Sequence, residues 1–199
     1  MIHLVLGGAR SGKSRYGESL VKGFALKGAK AIYLATATAK DEEMASRIAK
    51  HQLQRQETNI DWQLVEEPLA LTAKLKALAA PDSVILVDCL TLWLTNQLLA
   101  QDDEEPASTE SDFALDFARS SKRTSPIEAL HRAKTEFLAA LSELDGEVIL
   151  VSNEVGSGIV PLGELSRQFV DEAGWLNQAI AELADSVTLV VAGLPLTLK

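Results

Sequence analysis

Ile2-His3-Leu4-Val5-Leu6-Gly7-Gly8-Ala9-Arg10-Ser11-Gly12-Lys13-Ser14 runs from an apolar stretch straight into a match to the phosphate-binding pattern G-x-x-x-x-G-K-[ST]. The pattern works only with a strand before it and a helix after it, because several backbone N–H groups and a helix N-terminus must converge on one polyphosphate. Both are expected here. Residues 2–6 read as a buried strand, and residues 14–27 as a helix with Tyr16, Leu20, Val21 and Phe24 on one stripe and Gly28 placed to end it. Gly7 and Gly12 let the backbone turn and approach the anion. Lys13 would reach the β- and γ-phosphates, and the Ser14 hydroxyl would ligate Mg²⁺.

Composition narrows the class. The 199 residues suit one domain with a real core, and 47% of them are hydrophobic, enough for independent folding. The formal charge of −9 argues against a nucleic-acid partner, since affinity for a phosphate backbone comes from clustered Lys and Arg. Cys89 is the only cysteine, which excludes an internal disulfide and a multi-cysteine metal site, and it reads as a small buried hydrophobe. No stretch approaches the roughly 20 apolar residues of a membrane span, and the N-terminus enters a strand instead of a signal segment, so the cytoplasm is the expected location.

Five apolar runs have the β-branched character of buried parallel strands: residues 2–6, 31–36, 83–88, 147–152 and 186–192. Helical patterns separate them, at 14–27, 41–57, 68–78, 90–101, 126–144 and 164–184. This alternation predicts an α/β fold, a mostly parallel sheet with helices on both faces, with ligands beyond the carboxyl ends of the strands. Together with the glycine loop it specifies a P-loop NTPase fold of the RecA-like kind, in a single domain spanning 1–199. Residues 101–125 interrupt the order with Asp102, Asp103, Glu104, Glu105 and Pro106 and then Arg119, Lys122 and Arg123. They read as a solvated insertion, with a lid or subunit contact as the other reading.

Several side chains could carry chemistry. Val84-Ile85-Leu86-Val87-Asp88 is an apolar strand ending in a carboxylate. Strands often end in Asp merely to start a turn, but beside a phosphate loop this one reads as a Mg²⁺-holding group. His3 lies within the first strand and reads as structural; His131 sits mid-helix and reads as solvated. His51 has Arg47 one turn before it and Arg55 one turn after, so the three share a helix face suited to phosphate oxygens and to a nucleophilic imidazole. Spacing alone leaves a polar helix surface as an equal reading. After the fourth strand comes Ser152-Asn153-Glu154-Val155-Gly156-Ser157-Gly158-Ile159-Val160-Pro161, a tight loop where a substrate would be held. On the following helix, Arg167 and Asp171 read as a surface ion pair.

These residues together give the chain a resemblance to the bifunctional adenosylcobinamide kinase/adenosylcobinamide-phosphate guanylyltransferase family of cobalamin biosynthesis. The matching pieces are Gly7 to Ser14, Tyr33-Leu34-Ala35-Thr36-Ala37, Asp41-Glu42-Glu43-Met44 leading to Arg47-Ile48 and His51, Trp62, Glu66, Leu90 to Asn96, Ser152 to Gly156, Gly158 to Pro161, and Val190-Val191-Ala192-Gly193-Leu194-Pro195. They span almost the whole chain; the charged insertion is the main departure. The resemblance implies two reactions. ATP or GTP phosphorylates the aminopropanol hydroxyl of adenosylcobinamide, and His51 then takes GMP from GTP and passes it to adenosylcobinamide phosphate, giving adenosylcobinamide-GDP. Lys13 and His51 are the implied catalytic residues. Nucleotide contacts carried over by the resemblance are Gly7, Gly8, Ala9, Arg10, Ser11, Gly12, Lys13, Ser14, Ala35, Thr36, Ala37, Gln52, Leu53, Gln54, Arg55, Glu66 and Asp88, with Ser14 and Asp88 on Mg²⁺. A corrinoid substrate and a homotrimer are implied as well.

Two other functions compete on the residues alone. A P-loop kinase of another small metabolite would need the loop, Lys13 and Asp88 but would leave His51 without a purpose. A nucleotide-dependent switch is disfavoured, because the chain lacks an Asn-Lys-x-Asp guanine-recognition sequence.

Overall fold

The computed structural model describes residues 1–38, 42, 60–100 and 125–199. In order these form β1 (Ile2–Gly7), α1 (Lys13–Ala25), β2 (Lys30–Ala35), β3 (Trp62–Glu66), α2 (Leu71–Leu78), β4 (Ser83–Asp88), α3 (Leu90–Leu99), α4 (Pro126–Leu141), β5 (Glu147–Asn153), α5 (Glu164–Leu183), β6 (Ser186–Val191) and β7 (Leu194–Thr197). Apart from Glu42 and Ser125, the expected helix over 41–57 and the segment 101–125 lie outside the described residues.

The strands make one sheet in the order β3-β2-β4-β5-β1-β6-β7. Every pairing is parallel except β6 with β7. This is the mostly parallel α/β architecture expected from the sequence, and it puts one strand, β5, between the strand feeding the glycine loop and the strand ending in Asp88. Because side chains alternate across a strand, the near-continuous apolar runs serve both faces. One face packs Val5, Tyr33, Leu86, Ile149 and Val151 against Val21 of α1. Helices α2 to α5 cover the other face, where Leu4, Leu34, Ile85, Val87 and Leu150 meet Leu71, Trp93, Phe137, Leu176 and Ile180.

Helix α1 approaches the sheet closely because Gly17 faces it. A Cβ there would sit 2.9 Å from Leu86 Cδ1 and 3.3 Å from Val151 Cγ2. Helix α4 starts on a capping box: Ser125 accepts from the Glu128 N–H, and Glu128 returns a bond to the Ser125 N–H.

Two strands escaped the sequence reading. Trp62–Glu66 is an edge strand whose Gln63 and Leu64 are both exposed, so it lacks the continuous apolar run used to find the others. All four residues of β7 are exposed and include Pro195, a residue that argues against an interior strand but is tolerated at an edge. The expected strand over 186–192 therefore stops at Val191, and Ala192-Gly193 forms a two-residue turn into the antiparallel β7.

Candidate active site

The functional edge is assembled by register. Ala35 at the end of β2 lies opposite Glu66 on β3 and opposite Asp88 on β4, so three strands end level with one another. Farther along the same edge, Asp88 is level with Val151, and Gly7 with Asn153.

From Gly7 the chain bends through a turn in which the Ser11 N–H donates to the Gly8 carbonyl at 3.2 Å. Arg10 (φ 58°) and Gly12 (φ 96°) are left-handed, a conformation that costs Gly12 little. Gly7 is required for another reason: a Cβ would lie 2.4 Å from Ser11 Oγ and 2.6 Å from the Val190 carbonyl oxygen. Gly12 is the N-cap of α1 and offers no side-chain cap, so the opening amides of the helix remain donors for an anion. Lys13 is only 8% exposed and donates through Nζ to the Gly8 carbonyl at 3.1 Å, which folds the ammonium over the loop.

Asp88 is half-buried, and its Oδ2 accepts a 2.6 Å bond from the Tyr33 hydroxyl. Tyr33 is 3% exposed and meets Trp62 edge-on at 5.6 Å between ring centroids, so it is a rigid anchor for the carboxylate. Sequence reasoning gave Tyr33 no role beyond the family match; its place two residues before the end of β2, level with Leu86, is the signal that links it to Asp88.

The exits of β2 and β4 are stitched together. The Thr36 N–H donates to the Asp88 carbonyl at 3.2 Å. Its hydroxyl donates to the Cys89 carbonyl at 2.7 Å and accepts from the Cys89 N–H at 2.9 Å. Asn96 Nδ2, buried on α3, donates to the carbonyls of Thr36 (2.8 Å) and Pro68 (3.2 Å). The Trp93 indole holds the Leu69 carbonyl at 3.0 Å. Helix α3 thus ties down the segments that follow β2 and β3.

Cys89 is buried as expected, and it belongs to a polar network. Its sulfur is 3.1 Å from Thr91 Oγ1, which accepts from Asn153 Nδ2 at 2.6 Å, while Asn177 Nδ2 donates to the Asn153 carbonyl at 3.3 Å. Burial, with the Asp88 charge adding to it, pushes the thiol up to about 11. The protonated thiol is inert near neutral pH.

The structure brings Gly7 to Ser14, Ala35 to Ala37, Glu66 and Asp88 to one edge of the sheet, with the Thr36 hydroxyl already engaged by Cys89. His51, its flanking Arg47 and Arg55, and Gln52, Leu53 and Gln54 lie outside the described residues. His3 is structural, as read: its ring nitrogens lie 2.8 Å from Ser186 Oγ and 2.9 Å from Glu147 Oε2. His131 is more than a solvated side chain, since its Nε2 lies 2.9 Å from Oε1 of Glu172, a carboxylate 2% exposed that also pairs with Lys134. Nor does Arg167 pair with Asp171; it donates to the carbonyls of Pro161 and Leu162 and so pins the loop before α5.

No group of three or more His, Cys, Asp or Glu among the described residues could hold a metal by itself. The hard oxygen donors of Ser14 and Asp88 suit Mg²⁺, which binds through one or two protein groups plus substrate phosphates. Among the described residues no helix is long and apolar enough to cross a membrane.

A phosphate loop beyond a parallel sheet, with a carboxylate at the end of another strand, defines a P-loop phosphotransferase. The sequence model of the cobinamide kinase/cobinamide phosphate guanyltransferase family matches residues 3–198, and the chain belongs to that family. It is 51% identical over 199 residues to the bifunctional adenosylcobalamin biosynthesis protein CobP of Pseudomonas aeruginosa, covering 100% of this chain and 98% of that protein. To the bifunctional adenosylcobalamin biosynthesis protein CobU of Escherichia coli it is 35% identical, with 100% of both covered. For CobU of Salmonella typhimurium the identity is 38%, again with both fully covered. The chain is accordingly an enzyme of the cobinamide kinase and guanylyltransferase type, and the family's activities imply nucleotide and cobinamide substrates. Among solved structures it is similar to the KaiC-like protein PH0186 of Pyrococcus horikoshii (TM-score 0.45, 11% identity, 94% of this chain and 69% of that one). It is also similar to the flagellar accessory protein FlaH of Methanocaldococcus jannaschii (TM-score 0.42, 12% identity, 94% and 70%).

Proposed function

We propose that the chain phosphorylates adenosylcobinamide and then guanylylates the product through His51, both reactions using the edge described above. The observation that supports this best is the alignment of Glu66, Ala35 and Asp88 across three strands on the edge that carries the phosphate loop. In the kinase step the substrate hydroxyl attacks the γ-phosphorus of ATP or GTP, the bond to the bridging oxygen breaks, the nucleoside diphosphate leaves, and the hydroxyl proton passes to water. Lys13 and the loop amides neutralise charge on the phosphoryl oxygens.

In the second reaction an imidazole nitrogen of His51 attacks the α-phosphorus of GTP. The α–β bridging bond breaks, pyrophosphate departs, and the ring loses its N–H proton. A phosphate oxygen of adenosylcobinamide phosphate then displaces the histidine, forming the diphosphate of adenosylcobinamide-GDP and restoring the imidazole. Splitting the transfer this way replaces one difficult displacement by two easier ones. Bound through Ser14 and Asp88, Mg²⁺ would supply charge neutralisation on the phosphates. Residues Ala35 to Ala37, Gln52 to Arg55 and Glu66 are the proposed further nucleotide contacts.

GTP labelled at the α-phosphate should leave an acid-labile, base-stable adduct, and label at the γ-phosphate should not persist. His51→Ala should lose the adduct and guanylyl transfer while keeping kinase activity. An adduct on His51→Ala, or one mapped to His3 or His131, would rule out His51 as the nucleophile. A homotrimeric cytoplasmic enzyme completes the proposal. The 97% and 98% exposure of Ile159 and Leu162 supports a surface covered in an oligomer, which light scattering would measure.

A further inference from the structure

The hairpin joining β6 and β7 lies against the phosphate loop, and the reactions described above assign it no part. Ala192 (φ 51°) and Gly193 (φ 80°) form its two-residue turn, both left-handed as such turns require, between the paired residues Val191 and Leu194. Three features tie it to the loop. The Gly193 N–H donates to the Ser11 carbonyl at 2.7 Å. The Gly193 Cα would be 3.2 Å from a Cβ on Gly12, and the Val190 carbonyl oxygen 2.6 Å from a Cβ on Gly7.

From these contacts we infer that Gly193 is a positioning residue for phosphate binding, acting through the Ser11–Gly12 peptide. That peptide is trans, so its C=O and N–H point to opposite sides of one plane. Holding the Ser11 oxygen on the hairpin side turns the Gly12 N–H away from the hairpin, and on the proposed reading of the loop that N–H is one of the donors to the anion. Were the plane to flip, a carbonyl oxygen would face the phosphates and repel them. Loops are mobile unless tied down, and Gly12 tolerates such a flip more readily than any other residue. The bond from Gly193 fixes the orientation before the nucleotide arrives.

The inference rests on the loop holding the nucleotide phosphates, and the test separates the two. Replacing the Gly193 amide by an ester, with glycolate at position 193, removes this one N–H. Gly193→Ala keeps the N–H and has open space for the Cβ, but it strains a left-handed residue, so it lowers stability by a comparable amount through a different cause. Lys13→Ala reports on the loop itself. Binding of a fluorescent GTP analogue with Mg²⁺ is measured for each protein below its melting temperature, with circular dichroism confirming the fold. The ester should raise the Kd about tenfold and raise KM for GTP more than it lowers kcat, whereas Gly193→Ala should stay within about twofold of the parent. Equal Kd changes in the ester and Gly193→Ala, or an unchanged Kd in the ester while Lys13→Ala loses binding, would overturn the role of Gly193. Unchanged binding in Lys13→Ala would instead overturn the reading of the loop.

Discussion

Lys13 and Cys89 show how environment decides what a side chain near this site can do. The Lys13 ammonium contacts the Gly8 carbonyl although the residue is only 8% exposed, so Lys13→Ala should abolish GTP turnover, with circular dichroism checking that the fold is kept. Cys89 adjoins Asp88 and could be mistaken for a nucleophile. Its thiol, raised by burial from 9.0 to about 11, carries about 100-fold less thiolate at a given pH than an exposed one. Alkylation of the native protein at pH 8 should therefore be at least about 100-fold slower than in denaturant. The sign for stability follows from the same shift. Because the folded value is the higher, this contribution is complete below pH 9.0 and fades as pH rises through about 11.

Between elements, the packing of α4 on α5 turns on one buried charge. Glu172 lies between Lys134, at 2.5 Å, and His131, at 2.9 Å, both on α4. Burial alone would raise its carboxyl, but the hydrogen bonds and positive charge of Lys134 and His131 outweigh that and hold it below the ordinary range. A depressed carboxylate stabilises the fold above its unfolded value near 4.5 and loses that effect as pH falls through the folded value. Glu172→Gln leaves the Lys134 ammonium, its side chain only 12% exposed, without its counter-charge and should cost about 3 kcal/mol at neutral pH. Denaturant titrations should show this gap narrowing in acid, below about pH 4.5. A gap that stayed constant with pH would mean that shape, and not charge, governs this contact.

At the scale of the whole molecule, residues 101–125 read from the sequence as a solvated insertion, and loop length changes stability only slowly. Replacing residues 102–124 by a short flexible linker should leave guanylyl transfer within about tenfold. Complete loss in a folded protein would identify the insertion as a lid or subunit contact. The sequence by itself determined the α/β class, the five interior strands, the phosphate loop and the carboxylate of Asp88, because each is written locally, as an apolar run, a glycine spacing or a strand end. It also marked the Val190 to Pro195 segment without a reason for it. It took the tertiary structure to show that Tyr33 orients Asp88, that Asn96 holds the turns after β2 and β3, that the exposed His131 pairs with the buried Glu172, and that Gly193 bonds the phosphate loop. These facts were illegible in the chain because each joins residues from about 30 to 180 positions apart, brought together by strand order and register. The two edge strands were missed for a related reason: with one side open to solvent they need no continuous apolar run, and their pairing partners alone reveal them.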